Sequence, residues 1–176
     1  MAIVKPFRAI RPIKELASKI AALPYDVMDT AEAREMVKDN AYSFLHVDKA
    51  QIDLDADVNM YDNVVYEKAR DNLNKMIRDK QYIQDERPCF YIYRQVMNGR
   101  GQTGLVACTS IDDYVNNIIK KHELTVEAKE LDRVNHVDYC DANTGPIFLT
   151  YRANNEISEI VNKWVEKDPI YDFLSE

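Results

Sequence analysis

The dipeptide Asn98-Gly99 separates two apolar segments and constrains the fold more than any other feature of this chain. Residues 89–97 are dense in Phe, Tyr, Ile and Val, and residues 103–110 resemble them. Asn-Gly readily adopts the positive φ angles that the tightest antiparallel turn requires. The sequence therefore predicts a β-hairpin in the middle of the chain.

Helical periodicity flanks this hairpin on both sides. Residues 57–82 repeat apolar side chains at three- and four-residue spacing, which is typical of a long helix with one buried face. Shorter helices are predicted for the other periodic segments: residues 15–23, 32–37, 154–168 and, with interruptions, 115–142. Two short apolar runs are not predicted to be helices. Residues 43–47 indicate a strand or a buried loop, and residues 146–151 indicate a strand.

Together these patterns predict a mixed α/β (α+β) fold. A small mixed sheet contains the central hairpin, and helices flank it. The sequence shows no internal repeat, no low-complexity stretch and no linker. A single unit over residues 1–176 is therefore expected.

Charge and composition exclude several classes of protein. The net charge of −7 leaves no basic patch for a nucleic-acid backbone, so direct nucleic-acid binding is not expected. No signal peptide is recognisable, and no run approaches the roughly 18 apolar residues of a membrane helix. Cys89, Cys108 and Cys140 are odd in number and widely spaced. They predict reduced, buried thiols in a cytoplasmic protein.

The densest group of reactive side chains lies at residues 120–125. Lys121, His122, Glu123 and Thr125 place an ammonium, an imidazole, a carboxylate and a hydroxyl close together in sequence. A carboxylate or imidazole tuned by neighbouring charges can act as a general base, and the lysines could attract an anionic substrate. The alternative is a solvated, charged helix edge, which is the commoner origin of such a short motif.

A second candidate group follows at four-residue steps. Asp132, His136 and Cys140 would share one helix face. A metal site needs three or four convergent ligands, and no further ligand stands out, so none is predicted. The alternative is an Asp-His pair beside a buried cysteine. His46 lies in an apolar run and is predicted to be a core histidine with satisfied hydrogen bonds.

Two other features could hold an anion. Arg133 either forms a structural ion pair with Glu130 and Asp132 or binds an anion. The turn Asn143-Thr144-Gly145-Pro146 either presents backbone N–H groups to a ligand or simply begins the next strand.

Several strings resemble, in order, a known family over about residues 5–167. They are Pro6-Phe7-Arg8-Ala9, Pro24-Tyr25-Asp26-Val27, Ser43-Phe44-Leu45-His46, Tyr91-Ile92-Tyr93-Arg94-Gln95, Gln102-Thr103-Gly104-Leu105, Lys121-His122-Glu123 with Thr125, Asp132-Arg133 and Asn143-Thr144-Gly145-Pro146-Ile147-Phe148-Leu149-Thr150-Tyr151. The chain is thereby identified as similar to the prokaryotic family called domain of unknown function 1015. Members of this family are sometimes labelled as relatives of the chromosome-partition protein ParB (SpoOJ).

The resemblance implies a partial ParB/sulfiredoxin-like architecture, which free-serine kinases share. In those kinases a His-Glu pair, a helix and a Pro-Ile strand precede a Gly-His-His-Arg turn that binds phosphate. Here His122-Glu123 and Pro146-Ile147 match the first parts. The resemblance makes Glu123 the candidate catalytic base and His122 its supporting group. Lys121, Thr125, Arg133, Asn143 and Thr144 are candidates for binding substrate or phosphate.

The chain departs from that pattern at the phosphate-binding turn, because it contains no Gly-His-His-Arg string and no Gly-rich phosphate loop. Family members are about twice as long, so the resemblance implies the N-terminal half of a nucleotide-dependent small-molecule kinase, a phosphotransferase that is inactive alone. It implies no cofactor in this chain and ATP or ADP with Mg²⁺ in the full-length protein. The expected partners are the missing C-terminal half or a partner chain, a small-molecule substrate, or a second copy. The alternative function is a ParB-like regulatory or protein-interaction module without its own catalysis.

Overall fold

The computed structural model describes residues 2–122 and 125–174, and it confirms the mixed α/β class. Single turns of 3₁₀ helix cover Lys14–Leu16 and Ala50–Asp53. The other elements are, in chain order, β1 (Val4–Lys5), β2 (Ile10–Pro12), α1 (Ala17–Ile20), α2 (Thr30–Val37), α3 (Leu45–Asp48), α4 (Asn63–Arg78), β3 (Tyr82–Gln84), β4 (Tyr91–Met97), β5 (Arg100–Val106), β6 (Cys108–Thr109), α5 (Ile111–Val115), α6 (Glu127–Cys140) and α7 (Asn155–Val165). The strands form three two-stranded sheets, β1–β6, β2–β3 and β4–β5. Among the described residues, no helix combines the length and apolarity that a membrane crossing requires.

Two compact units, each assembled from segments that are distant in sequence, make up the described chain. The hairpin unit comprises described residues 2–10, 84–122 and 146–170. The helical unit comprises residues 11–83, 125–145 and 171–174. That residues 1–176 behave as one unit stays a prediction.

The core of the helical unit is built on α4. Its residues Val65, Tyr66, Ala69, Leu73 and Met76 are buried at the three- and four-residue spacing that the sequence predicted. The helix begins at Asn63 rather than near residue 57. The cause is local, because residues 59–62 are held in a turn by hydrogen bonds to the side chain and carbonyl of Asn59.

A capping box fixes the start of α2. The Asp29 carboxylate accepts a hydrogen bond from the Glu32 amide, and the Glu32 carboxylate accepts one from the Asp29 amide, both at 2.8 Å. These bonds satisfy amides that a helix terminus leaves unpaired. A second apolar cluster lies beside α2 and contains Ala33, Val37, Leu45 and Ile52.

The prediction of a strand or loop at residues 43–47 is wrong. Leu45–Asp48 forms the helical turn α3, and the Ser43 hydroxyl accepts a hydrogen bond from the Leu45 amide as the turn begins. Leu45 packs in one apolar cluster and Val47 in the other. Ser43, Leu45 and Val47 are buried while Phe44 and His46 are partly buried, and in so short a run apolar spacing alone does not separate a helical turn from a strand.

The predicted hairpin is confirmed in the hairpin unit. Strands β4 and β5 pair antiparallel along their whole lengths, from Tyr91 opposite Val106 to Met97 opposite Arg100. Asn98 and Gly99 connect them with φ angles of 52° and 76°, as a tight turn of the I′ type requires. At the base of the hairpin, the Tyr91 hydroxyl donates to the Asp85 carboxylate at 2.7 Å.

Two other expectations for this unit are wrong. Residues 146–151 form no strand, because no described residue offers them a backbone ladder. Apolar character favours a strand, but hydrogen bonding to a neighbour creates one. Cys89 and Cys108 are exposed, and Cys140 alone of the three is buried. All three are free thiols.

Replacing Leu73 by Ala tests the α4 core. Loss of the buried side chain is expected to lower the free energy of unfolding by about 2–5 kcal/mol. Val64→Ala on the exposed face of the same helix is the matched control, and its effect should stay within about 0.5 kcal/mol. Urea denaturation followed by circular dichroism measures both. Equal losses would contradict the assignment of the buried face.

Candidate functional site

Arg133 on α6 is held by three groups of the helical unit. Its Nε and Nη2 atoms donate to Oδ2 of Asp132 at 3.0 and 2.8 Å. Its guanidinium lies over the ring of Tyr25, 4.1 Å from the ring centroid. Its Nη1 atom is 3.8 Å from Oδ1 of Asp48, which is longer than a hydrogen bond. The guanidinium is therefore fixed in position while 32% of the side chain stays exposed.

Asp132 connects this arginine to the core. Its other carboxylate oxygen, Oδ1, accepts a hydrogen bond from the Tyr66 hydroxyl at 3.0 Å, and both residues are buried. Burial, followed by this hydrogen bond, raises the pKa of Tyr66 above its ordinary value. Each oxygen of the Asp132 carboxylate thus has a donor, which offsets the cost of burying the charge.

Asp48 lies at the centre of a second set of contacts. The Thr144 hydroxyl donates to Asp48 Oδ1 at 3.0 Å and lies 3.4 Å from Nδ1 of His136. His136 is buried, and its Nε2 atom is 3.0 Å from the Val47 carbonyl oxygen. Because a carbonyl oxygen can only accept, Nε2 carries a proton. The imidazole orientation is fixed by α3 on one side and Thr144 on the other.

The ammonium of Lys49 is buried beneath the same region. It donates to the carbonyl oxygens of Tyr25 and Met28, both at 3.0 Å. These bonds hold the turn that places the Tyr25 ring on Arg133. We call the whole group the Arg133 cluster: Tyr25, Asp48, Lys49, Tyr66, Asp132, Arg133, His136 and Thr144.

A small cavity lies within this cluster. Its volume is about 20 Å³, and its walls include Tyr25, Asp48, Tyr66, Arg133 and His136. A cavity this size holds one water molecule. Asp48 and Asp132 carry two negative charges, and Lys49 and Arg133 carry two positive ones. The cluster is therefore close to neutral, and it can orient a small group that enters beside Arg133.

The structure brings two of the predicted site residues together, because Arg133 and Thr144 both contact Asp48. Asn143 is exposed next to Thr144. Thr125 is also exposed, and its hydroxyl donates to Glu130 at 2.6 Å. Glu130 therefore binds Thr125 rather than the predicted Arg133.

The other predicted residues belong to the hairpin unit or lie outside the described residues. Lys121 is exposed, with its ammonium 4.7 Å from the centroid of the Tyr114 ring. His122 is exposed as well. Residues 120–122 lie between α5 and α6 and not on the predicted helix edge. Glu123, the candidate base, lies outside the described residues. The roles assigned to these residues stay predictions.

Asp132, His136 and Cys140 do share the buried face of α6, but they have different partners. Asp132 binds Tyr66 and Arg133, whereas His136 binds Val47 and Thr144. Cys140 packs in the apolar core, and burial raises its pKa to about 11, which disfavours a reactive thiolate. Within the described ranges no group of three metal-ligating side chains occurs.

Four members of the cluster are not singled out by the sequence: Tyr25, Asp48, Lys49 and Tyr66. Tyr25 lies in one of the strings that carry the family resemblance, which was the available signal. Tyr66 falls on the apolar face of α4 and reads as an ordinary core residue. Asp48 and Lys49 follow a short apolar run whose helical turn the sequence does not reveal.

His46 forms a separate pair at the edge of the helical unit. Its Nδ1 atom lies 2.8 Å from Asp53 Oδ1, and its Nε2 atom lies 3.3 Å from the Asn40 carbonyl oxygen. The imidazole has the partners that the sequence predicted but is only partly buried. The hydrogen bond to Asp53 raises the pKa of His46. Burial alone would raise the pKa of Asp53, but the bonds from His46 and Asn72 lower it.

Comparisons with known proteins add one match. The sequence model of the family described as "Protein of unknown function (DUF1015)" matches residues 4–176. No curated protein and no solved structure matches the chain.

The His46–Asp53 pair predicts a pH-dependent part of stability. The raised pKa of His46 means that its contribution is complete below 6.5, its ordinary value, and is lost as pH rises through the raised value. The Asp53 contribution is present above 3.8 and is lost as pH falls through its lowered pKa. Asp53→Asn should therefore cost up to about 1 kcal/mol near pH 5.5 and less near pH 8.5. Denaturation curves at both pH values measure this cost.

The control for this prediction is Asp79→Asn, which removes an exposed carboxylate that pairs only with Lys75 at 3.4 Å within the described residues. Its effect should not depend on pH in this range. A cost of Asp53→Asn that is the same at both pH values would contradict the assignment.

Proposed function

The chain belongs to the protein family of unknown function DUF1015, and from this premise we propose that it forms the substrate-binding part of a nucleotide-dependent phosphotransferase. The acceptor is a small hydroxylated zwitterion of the free-serine type, which Arg133 would bind through its carboxylate. The observation that carries the proposal is the arrangement of Arg133, whose guanidinium is fixed by Asp132 and Tyr25 and remains partly exposed.

A fixed guanidinium suits recognition of a carboxylate or phosphate. Asp132 occupies the Nε and Nη2 donors, and the Tyr25 ring covers one face. The Nη1 edge makes only the 3.8 Å ion pair with Asp48 among the described residues. An incoming anionic oxygen can replace this long contact with a charge-assisted hydrogen bond of about 2.8 Å. Because the side chain is already ordered, little conformational entropy is lost on binding.

The Thr144 hydroxyl is a second polar group close to the exposed edge of Arg133. Thr144 donates to Asp48, the carboxylate that also faces Arg133. A ligand held by Nη1 would therefore lie beside a carboxylate and a hydroxyl that can orient its amine or hydroxyl groups. This polarity supports a small zwitterionic substrate over an apolar one.

The cavity volume supports an acceptor that binds outside the cavity, at the exposed edge of Arg133, and a nucleotide that binds elsewhere. A volume of about 20 Å³ is far below the roughly 300 Å³ or more of a typical ligand pocket. Phosphoryl transfer also needs groups that stabilise charge on the moving phosphate. In the proposal, a phosphate-binding turn supplied by further polypeptide performs this role and binds ATP or ADP with Mg²⁺.

The proposed base is Glu123, supported by the order of His122-Glu123 and Pro146-Ile147 in the sequence and by the resemblance to ParB/sulfiredoxin-like kinases. Its carboxylate takes the proton of the substrate hydroxyl. The hydroxyl oxygen then bonds to the terminal phosphorus of the nucleotide, and the bond from that phosphorus to the bridging oxygen breaks. The shortened nucleotide leaves. The three unpaired cysteines support a cytoplasmic location for this activity.

Arg133→Lys tests substrate binding. Isothermal titration of the chain with O-phosphoserine should show at least a tenfold weaker affinity, about 1.4 kcal/mol, because lysine lacks the planar fork of donors. Arg70→Lys is the matched control, since Arg70 also pairs with the following aspartate but on an exposed part of α4. An unchanged affinity in Arg133→Lys would remove the support for the proposal.

Glu123→Gln tests the chemistry separately. In the longest natural polypeptide that contains these residues, turnover of ATP or ADP with serine should fall by about 10²–10⁴. Titration of the present chain with ATP and ADP should show no tight binding. Equal turnover by the wild-type polypeptide and its Glu123→Gln variant would exclude Glu123 as the base. It would leave the Arg133→Lys binding result unaffected.

A further inference from the structure

The described residues of the hairpin unit bury no apolar side chain. Asp113 is the one residue of this unit, within the described ranges, that is classed as buried. Both apolar clusters of the chain consist of residues of the helical unit. Folded units of this size normally bury apolar side chains. The hairpin unit instead exposes large ones: Tyr93, Val96, Met97, Ile147, Phe148, Tyr151, Ile160 and Trp164.

The exposed area of the chain is correspondingly large. It is 13,911 Å², whereas a folded monomer of 20.5 kDa exposes about 8,800 Å². Two separate globules with the sizes of the two units would together expose roughly 10,600 Å². The excess of about 3,300 Å² therefore remains whatever the arrangement of the units. A stable dimer needs less, because obligate interfaces bury about 1,000–2,500 Å² on each partner.

Unpaired backbone accompanies these side chains. The outer edges of β4 and β5 have no backbone partner among the described residues. In the observed register, the outward N–H groups of β5 are those of Gly101, Thr103 and Leu105, since each lies in a pair without mutual backbone bonds. A two-stranded hairpin alone is marginally stable in water. Helix α7 lies against β4, but the outer edge of β5 is open to a partner among the described residues.

We propose that the hairpin unit binds a second copy of the chain through the open edge of β5. A twofold axis through Thr103 pairs β5 with β5 of the partner in antiparallel orientation. It places Arg100 opposite Val106 and Gln102 opposite Gly104, without like charges facing each other. The outward N–H groups of β5 then meet the outward carbonyl groups of the other copy.

The net charge of the hairpin unit supports a second copy of the chain as its partner. Residues 1–10, 84–124 and 146–170 together have 10 Lys and Arg against 9 Asp and Glu, a net charge of +1, so the rest of the sequence carries −8 of the total of −7. Two hairpin units can meet with little electrostatic repulsion, whereas two helical units would repel each other. A net charge this close to zero also disfavours a nucleic-acid surface.

Light scattering coupled to size exclusion tests this proposal with the intact chain. The expected mass is twice 20.5 kDa. Thr103→Pro removes an outward N–H group without removing a bond between β4 and β5, and Leu105→Lys places a charge on β5 opposite Gly101 of the other copy. Each variant should raise the dimer dissociation constant at least tenfold. Leu23→Lys is the matched control, because Leu23 lies in the helical unit and is exposed to a similar degree, 45% against 40% for Leu105.

Two results would overturn the proposal. A monodisperse species of 20.5 kDa with a folded circular dichroism spectrum would show that another polypeptide is the natural occupant. A dimer, or a larger species, that neither Thr103→Pro nor Leu105→Lys weakens would show that the copies associate elsewhere. Circular dichroism of both variants separates loss of association from loss of folding.

Discussion

The helical unit depends on the hydrogen bonds that the carboxylate of Asp132 accepts. It lies between α4 and α6, accepts a hydrogen bond from Tyr66 on one oxygen and binds Arg133 with the other. A buried carboxylate is stable only when such donors surround it. The same bonds that satisfy Asp132 therefore join two helices that are distant in sequence and fix the guanidinium. Structural support and the candidate site share one group of atoms.

The two units differ in how they are stabilised. The helical unit has two apolar clusters and a buried polar network. The hairpin unit has backbone pairing, the hydrogen bonds of Tyr91 and no buried apolar side chain within the described residues. Hydrophobic burial is the main favourable contribution to folding, so the helical unit contains most of what holds this chain together. The hairpin unit needs a covering surface to gain the same contribution.

Membership of the DUF1015 family relates the chain to other proteins but assigns it no reaction. A chemical hypothesis has to come from side chains. The Arg133 cluster supplies a fixed cation, a hydroxyl and a buried imidazole in one region of the helical unit. It supplies no room for a nucleotide in its cavity of about 20 Å³. The cavity therefore holds neither an acceptor nor a nucleotide, and the proposed acceptor would bind at the partly exposed edge of Arg133.

The sequence by itself determined the elements whose cause is local. Asn98-Gly99 dictates the hairpin turn because few other dipeptides adopt two positive φ angles. Asp29 and Glu32 specify the start of α2, and apolar spacing specifies the buried face of α4. The periodicity of α6 also placed Asp132, His136 and Cys140 on one buried face.

Only the tertiary structure decided the rest, because those features depend on partners that are distant in sequence. Residues 43–47 became a helical turn between two apolar clusters, and residues 146–151 found no strand to pair with among the described residues. Asp48 acquired a role through Thr144, 96 positions away, and Tyr66 through Asp132, 66 positions away. Local patterns report the preferences of one segment, whereas a site is made by the segments that folding brings into contact.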